Sequence, residues 1–155
     1  MRNLPLAAVA IAVMAFAAAG CGGPPARAQS AVAFLAQNAL NPGVKTLPSG
    51  VQYKIVKSGP ATGAHPTASS TVTVNYEGSL VSGEVFDSSY KRGKPTSFEV
   101  GGVIDGWTEA LQLMRPGDEW MLYIPPSKGY GNEQKGPIPP GSVLIFRVEL
   151  LSIDN

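Results

Sequence analysis

The stretch Val103-Ile104-Asp105-Gly106-Trp107-Thr108-Glu109-Ala110-Leu111-Gln112-Leu113-Met114 decides how this chain reads. Trp107, Ala110, Leu111 and Met114 recur at i, i+3, i+4 and i+7, so the spacing predicts a helix with one apolar face. Asp105 is placed to cap its first turn, and Glu109 sits early enough to favour the positive helix end. Arg115-Pro116-Gly117 ends it, because Pro116 removes a donor and Gly117 permits a turn. Elsewhere in the globular part the apolar runs alternate with period two, as half-buried strands do. Sheet and helix each need the other to cover an apolar side. The expected fold class is therefore α+β: a curved antiparallel β-sheet of five to six strands wrapped around one short α-helix.

Working outward from the helix, strand patterns fall at Val51–Ile55, Thr71–Tyr76, Ser97–Val100, Asp118–Ile124 and Val143–Ile153. On them Val72, Val74 and Tyr76 share a face, as do Trp120, Leu122 and Ile124, and Leu144, Phe146, Val148 and Leu150. Gly83–Ser89 follows a turn, and Tyr90–Pro95 reads as a basic bulge or loop. Pro125–Gly141 is too long to be a mere connection, and loops of that length on a compact sheet are often functional.

Composition narrows the function. The 155 residues carry 12 basic and 11 acidic groups, for a formal net charge of +1. No basic stripe or aromatic-interleaved Arg run is present, so nucleic acid is not expected as a partner. The single Cys rules out an intramolecular disulfide. The single His, His65, lies in a Gly/Pro/Ser/Thr loop far from it, where a solvated residue is the default. That leaves no zinc site, no Cys/His dyad and no expected cofactor. No Gly-x-Ser-x-Gly is present, and Gly93-Lys94 is followed by Pro95 rather than Ser or Thr, so neither a hydrolase nor a phosphate loop fits.

The N-terminus predicts export. Arg2 precedes an apolar run from Leu4 to Ala19, too short for a comfortable membrane span. Ala18-Ala19-Gly20-Cys21 resembles a bacterial lipoprotein signal, with Ala18 where the common pattern has Leu, and Cys21 as the lipidated residue. Ala26-Arg27-Ala28 offers a rival cleavage site. The expected organisation is a signal peptide at 1–20, a tether with a short N-terminal helix (Ala31–Leu40) at 21–46, and a domain at 47–155.

Tyr76, Phe86, Phe98, Val103, Ile104, Trp107, Tyr130, Ile138 and Phe146 fall inward on this plan, at strand ends, the helix start and two loops. One filled core is the bland reading. Tyr130 and Ile138, however, sit among Gly and Pro in the long loop, which points to a lined pocket.

The segments Val74-Asn75-Tyr76-Glu77-Gly78, Phe86-Asp87-Ser88-Ser89, Val103-Ile104-Asp105-Gly106-Trp107, Gly129-Tyr130-Gly131 and Ile138-Pro139-Pro140 occur in the order and spacing of one family. From about Leu47 to Ile153 the chain resembles the FKBP-type peptidyl-prolyl cis–trans isomerases. Gly43–Gly50 looks like their exported bacterial branch, the Mip-like and FkpA-like proteins. The resemblance implies a proline pocket with Trp107 as floor and Tyr76, Phe86, Phe98, Val103, Ile104, Tyr130 and Phe146 as walls. It implies Asp87 at the rim, oriented by Arg92 and bonded near Tyr76. The Ile104 N–H and the Tyr130 hydroxyl would bind the carbonyls flanking proline, and Ile138 would lie over the pocket. Thr96 departs from the family, which often has an aromatic there; the smaller side chain would open one side of the pocket. Implied partners are proline-containing unfolded or exported polypeptides and macrolide FKBP inhibitors. The branch's longer helical dimerisation segment is shortened here to Ala31–Leu40, so a monomer is expected. An FKBP-like module that binds unfolded chains without useful turnover is the nearest rival.

Overall fold

The computed structural model describes residues 26–154. The expected signal peptide and Cys21 lie outside them. Among the described residues no helix is long and apolar enough to cross a membrane.

The elements, in chain order, are α1 (Ala26–Asn38), β1 (Val44–Thr46), β2 (Gln52–Lys57), β3 (Thr71–Leu80), β4 (Val85–Ser88), α2 (Ser89–Arg92), β5 (Thr96–Glu99), α3 (Asp105–Leu111), β6 (Glu119–Ile124) and β7 (Leu144–Asp154). The strands form one antiparallel sheet ordered β1-β2-β6-β7-β3-β4, with β5 also on β3. Its seven strands exceed the expected five to six through β1, three residues too short to show a period.

The alternation holds where it was readable. Val72 and Val74 on β3, Leu122 and Ile124 on β6, and Leu144, Val148 and Leu150 on β7 have no exposed surface. The predicted face of α3 meets them: Ala110, Leu111 and Met114 are fully buried and Trp107 nearly so. The helix is shorter than its sequence pattern. It begins at Asp105 with Ile104 as the N-cap residue, and Asp105 supplies a charge to the first turn rather than a side-chain cap. After Leu111 two tight turns, Leu113 N–H to the Ala110 carbonyl and Met114 N–H to that of Leu111, carry the apolar face on to Met114. Gly106 lets α3 lie close on β6, because a Cβ there would fall 2.8 Å from Cγ2 of Ile124.

The N-terminal segment is more ordered than the expected tether. α1 runs for 13 residues, starting before Ala31 and stopping short of Leu40. Asn38 and Gln52 join it to β2: the Asn38 amide donates to Gln52 Oε1 at 2.8 Å, and the Gln52 amide donates to the Leu35 carbonyl at 2.8 Å. Phe34 meets Tyr123 of β6 with ring centroids 6.3 Å apart. The folded unit thus extends upstream of residue 47, through β1 and α1. His65 is exposed, with Nδ1 3.0 Å from the Met114 carbonyl, so it ties its loop to the end of the α3 region.

Candidate active site

β3 exchanges partners along one edge. Thr71–Val74 pair with β5, and Glu77–Ser79 pair with β4. Between them, at Asn75 and Tyr76, the neighbouring chain leaves the ladder as the one-turn helix α2, where the sequence suggested a loop. Ser88 caps that turn by accepting from the Lys91 N–H. Ser89, fully buried, fills the gap: its hydroxyl accepts the Tyr76 N–H at 2.8 Å, a bond a strand neighbour would otherwise supply. Sequence reasoning missed Ser89, because only the tertiary pairing shows that the Tyr76 N–H needs a partner.

This excursion sets the rim. The single turn of α2 brings Arg92 back to Asp87 and Tyr76. The Tyr76 hydroxyl donates to Asp87 Oδ2 at 2.5 Å, and Arg92 donates to Asp87 Oδ1 through Nη1. Arg92 Nη2 donates to the Tyr76 oxygen at 2.9 Å and to Thr96 Oγ1 at 3.1 Å. Thr96, where a small side chain was expected to open the pocket, also anchors the far side of the guanidinium. Burial raises the Asp87 carboxyl, but the bonds from Tyr76 and Arg92 and the Arg92 charge outweigh it and hold it below its ordinary 3.8. Burial, then the bond to Asp87, pushes the Tyr76 phenol above 10.0. At neutral pH the pair is therefore carboxylate acceptor and phenol donor. A lowered carboxyl contributes stability above its unfolded value, and that contribution is lost only as pH falls through the still lower folded value.

Beside this network opens a cleft of about 450 Å³ lined by Tyr76, Phe86, Asp87, Phe98, Gly102, Val103, Ile104, Trp107, Tyr130, Lys135 and Phe146. Trp107 is its floor. The rings of Tyr76, Phe98 and Phe146 stand edge-on to the indole, with centroids at 5.2, 5.5 and 5.1 Å and interplanar angles of 83–84°. Such edge-to-face sets fix rings firmly. Phe86 stands edge-on to Phe146 at 5.5 Å. Gly78 permits that wall, since a Cβ there would lie 2.6 Å from Phe146 and 2.7 Å from Phe86. Several donors on the lining have no protein acceptor among the described residues, among them the Ile104 N–H, just before α3, the Tyr130 hydroxyl and the buried indole N–H of Trp107.

Of the sequence candidates, Tyr76, Phe86, Asp87, Phe98, Val103, Ile104, Trp107, Tyr130 and Phe146 come together at this cleft. Arg92 stands behind Asp87. Ile138, expected over the cleft, is buried in the apolar cluster that also holds Tyr76, Trp107 and Phe146, and it is not among the residues lining the cleft. Its loop closes a two-residue turn, with Lys135 N–H to the Ile138 carbonyl at 3.0 Å and Ile138 N–H to that of Lys135 at 2.9 Å. The turn drives the apolar side chain inward and leaves Lys135 at the cleft. Sequence reasoning missed Lys135 and Gly102; a Lys in a polar loop carries no signal of which way it faces.

An antiparallel sheet on a short helix, with an aromatic cleft where they meet, defines a class of small domain whose cleft is shaped to take a compact apolar group between rings. Comparison with known proteins makes that class specific. A family described as "FKBP-type peptidyl-prolyl cis-trans isomerase" matches residues 63–151, and one described as "Domain amino terminal to FKBP-type peptidyl-prolyl isomerase" matches residues 25–55. The chain belongs to the FKBP-type peptidyl-prolyl cis–trans isomerase family. It is 50% identical over 127 residues to the peptidyl-prolyl cis-trans isomerase Mip of Coxiella burnetii, covering 81% of this chain and 54% of that one. It is 52% identical over 122 residues to the Outer membrane protein MIP of Legionella longbeachae, covering 78% and 52%. The chain thus spans about half the length of these curated relatives. Among solved structures, a peptidyl-prolyl cis-trans isomerase from Pseudomonas syringae superposes with a TM-score of 0.78 at 37% identity, over 88% of this chain and all of that one. FkpA from Escherichia coli gives 0.77 at 43% identity, over 81% and 58%.

Proposed function

We propose that this protein is a peptidyl-prolyl cis–trans isomerase acting on exported polypeptides. The observation that carries the proposal is the aromatic cleft floored by Trp107, with the Ile104 N–H and the Tyr130 hydroxyl among the unpartnered donors on its lining. Rotation about an X–Pro bond faces a barrier of roughly 18–20 kcal/mol, because the planar amide must lose its resonance. The twisted amide is less charge-separated than the planar one, so dry rings favour it over water. Each ~1.4 kcal/mol of such preference is a tenfold acceleration. In this reading the proline ring sits on Trp107 between Tyr76, Phe98 and Phe146. The Ile104 N–H and the Tyr130 hydroxyl hold the flanking carbonyls. Asp87, fixed by Tyr76 and Arg92, faces the carbonyl that turns and disfavours its planar, polarised form. The work is done by apolar rings, fixed dipoles and one fixed carboxylate, with no bond to carbon made or broken.

The test is an isomerisation assay on a proline peptide, with and without an FKBP-directed macrolide. Acceleration that the macrolide abolishes is expected. Peptide binding without acceleration would leave a binding module in its place.

For location, the proposal is an exported protein held at a membrane through Cys21. The name of the Legionella relative, an outer membrane protein, supports export. Cleavage after Ala28 would cut into α1, whereas cleavage before Cys21 would leave all of its described residues, Ala26–Asn38, in the mature chain. Cys21→Ser should move the protein from the membrane fraction to the soluble exported fraction. A wild-type mature N-terminus at Gln29 would overturn the anchor. A monomer is proposed because α1 spends Phe34 and Asn38 on its own sheet. Light scattering at twice the chain mass would contradict it.

A further inference from the structure

The charges at the cleft are unequal in their freedom. Asp87 and Lys135 are the two charged side chains on its lining. Asp87 is bonded by both Arg92 and Tyr76, so its charge is largely answered within the protein. Lys135 has no ion-pair partner among the described residues. Its Nζ lies 5.9 Å from the centroid of the Tyr130 ring. The backbone turn to Ile138, a residue only 4% exposed, holds the loop that carries it. Glu133, two residues earlier, lines a neighbouring depression that Tyr130 also lines, and not the cleft itself. A peptide bound in the cleft therefore meets one unanswered charge, a positive one, beside the Tyr130 ring.

We propose that Lys135 biases substrate choice, so that X–Pro segments with Asp or Glu beside the proline are preferred over the same segments with Lys or Arg. This rests on the isomerase reading. A partly exposed ammonium meeting one carboxylate is a modest pair, and a basic residue in the same place meets repulsion of similar size. The expected selectivity from this one charge is about two- to fivefold in each direction, and it is screened when the Debye length shrinks to ~3 Å at 1 M salt.

The experiment uses proline peptides identical except for Glu, Gln or Lys at the residue before proline, and a second set varied at the residue after it. Both kcat/KM and Kd are measured on the protein and on its Lys135→Gln and Lys135→Glu variants, with thermal melts to show that each is folded. The readout is the Glu-to-Lys ratio. In at least one peptide set it should fall about two- to fivefold in Lys135→Gln, fall further in Lys135→Glu, and approach the Lys135→Gln value in the unsubstituted protein at 1 M salt. A ratio in both sets that is the same for all three proteins, or insensitive to salt, overturns the proposal. If no peptide is isomerised, the isomerase reading fails, while the Kd ratio still decides whether Lys135 selects by charge.

Discussion

Two aspartates, in two regions of the sheet, use the same side chain for different ends. At the cleft rim Asp87 is half-buried, its side chain 41% exposed, and bonded to side chains, those of Tyr76 and Arg92. At the start of β6 Asp118 is 7% exposed and bonded to backbone: Oδ1 accepts the Gly59 N–H at 2.5 Å, and Oδ2 accepts the Arg115 N–H at 3.0 Å. Its own backbone also bonds Leu150, whose N–H reaches the Asp118 carbonyl at 2.9 Å. Asp118 joins three stretches of chain that would otherwise bury unpaired donors, so the fold depends on it. Asp87 joins side chains that solvent could satisfy, so the fold needs it less and a bound ligand can use it. Partner type and burial, more than residue type, separate the two.

The largest expected effect lies deepest in the sheet. Leu144 is fully buried on β7, and Leu144→Ala should cost roughly 2–5 kcal/mol through the cavity it leaves, with the surviving folded fraction still active. Thermal melts beside isomerisation rates would show it. A loss of activity at unchanged stability would put the cleft on the wrong side of the sheet. Asp118→Ala should come next. It strands the Gly59 and Arg115 N–H groups, at about 1–3 kcal/mol for each that water cannot reach. Denaturant unfolding measures this loss, and the kcat/KM of the folded fraction should hardly change.

Gly78→Ala belongs to both regions at once. The new methyl meets Phe86 and Phe146 at under 3 Å, so the wall must shift. A stability loss of about 1–3 kcal/mol from overpacking is expected together with weaker macrolide binding. Stability loss with unchanged inhibitor affinity would show that the two rings belong to the core and not to the site. The smallest effect is Tyr130→Phe, which keeps the ring and removes one hydroxyl. It should weaken proline-peptide binding by about 1 kcal/mol, read by titration, with an unchanged melt.

The same distinction explains what the sequence disclosed. Buried faces were legible because they are periodic: Val72, Val74, Trp120, Leu122, Leu144 and Val148 alternate, and Trp107, Ala110, Leu111 and Met114 keep helical spacing. The cleft aromatics were legible through motif order. The supports were not. Ser89 fills a gap in a ladder whose pairing the sequence does not show, and Thr96 anchors a guanidinium four residues away. Ile138 was expected over the cleft and Lys135 was not singled out, because a loop has no period; one backbone turn decides which is buried and which meets the cleft. The full length of α1 was hidden because much of its hold on the sheet is polar, through Asn38 and Gln52.

The account rests most on Asp87 serving the cleft and not the fold. The direct measurement is kcat/KM for a proline peptide together with the melting temperature, on Asp87→Val and Asp118→Ala in parallel. Asp87→Val should lower kcat/KM about tenfold or more with little change in melting temperature, since it acts on the transition state. Asp118→Ala should do the reverse. An Asp87→Val protein that keeps full activity, or loses it only in step with its melting temperature, would contradict the account.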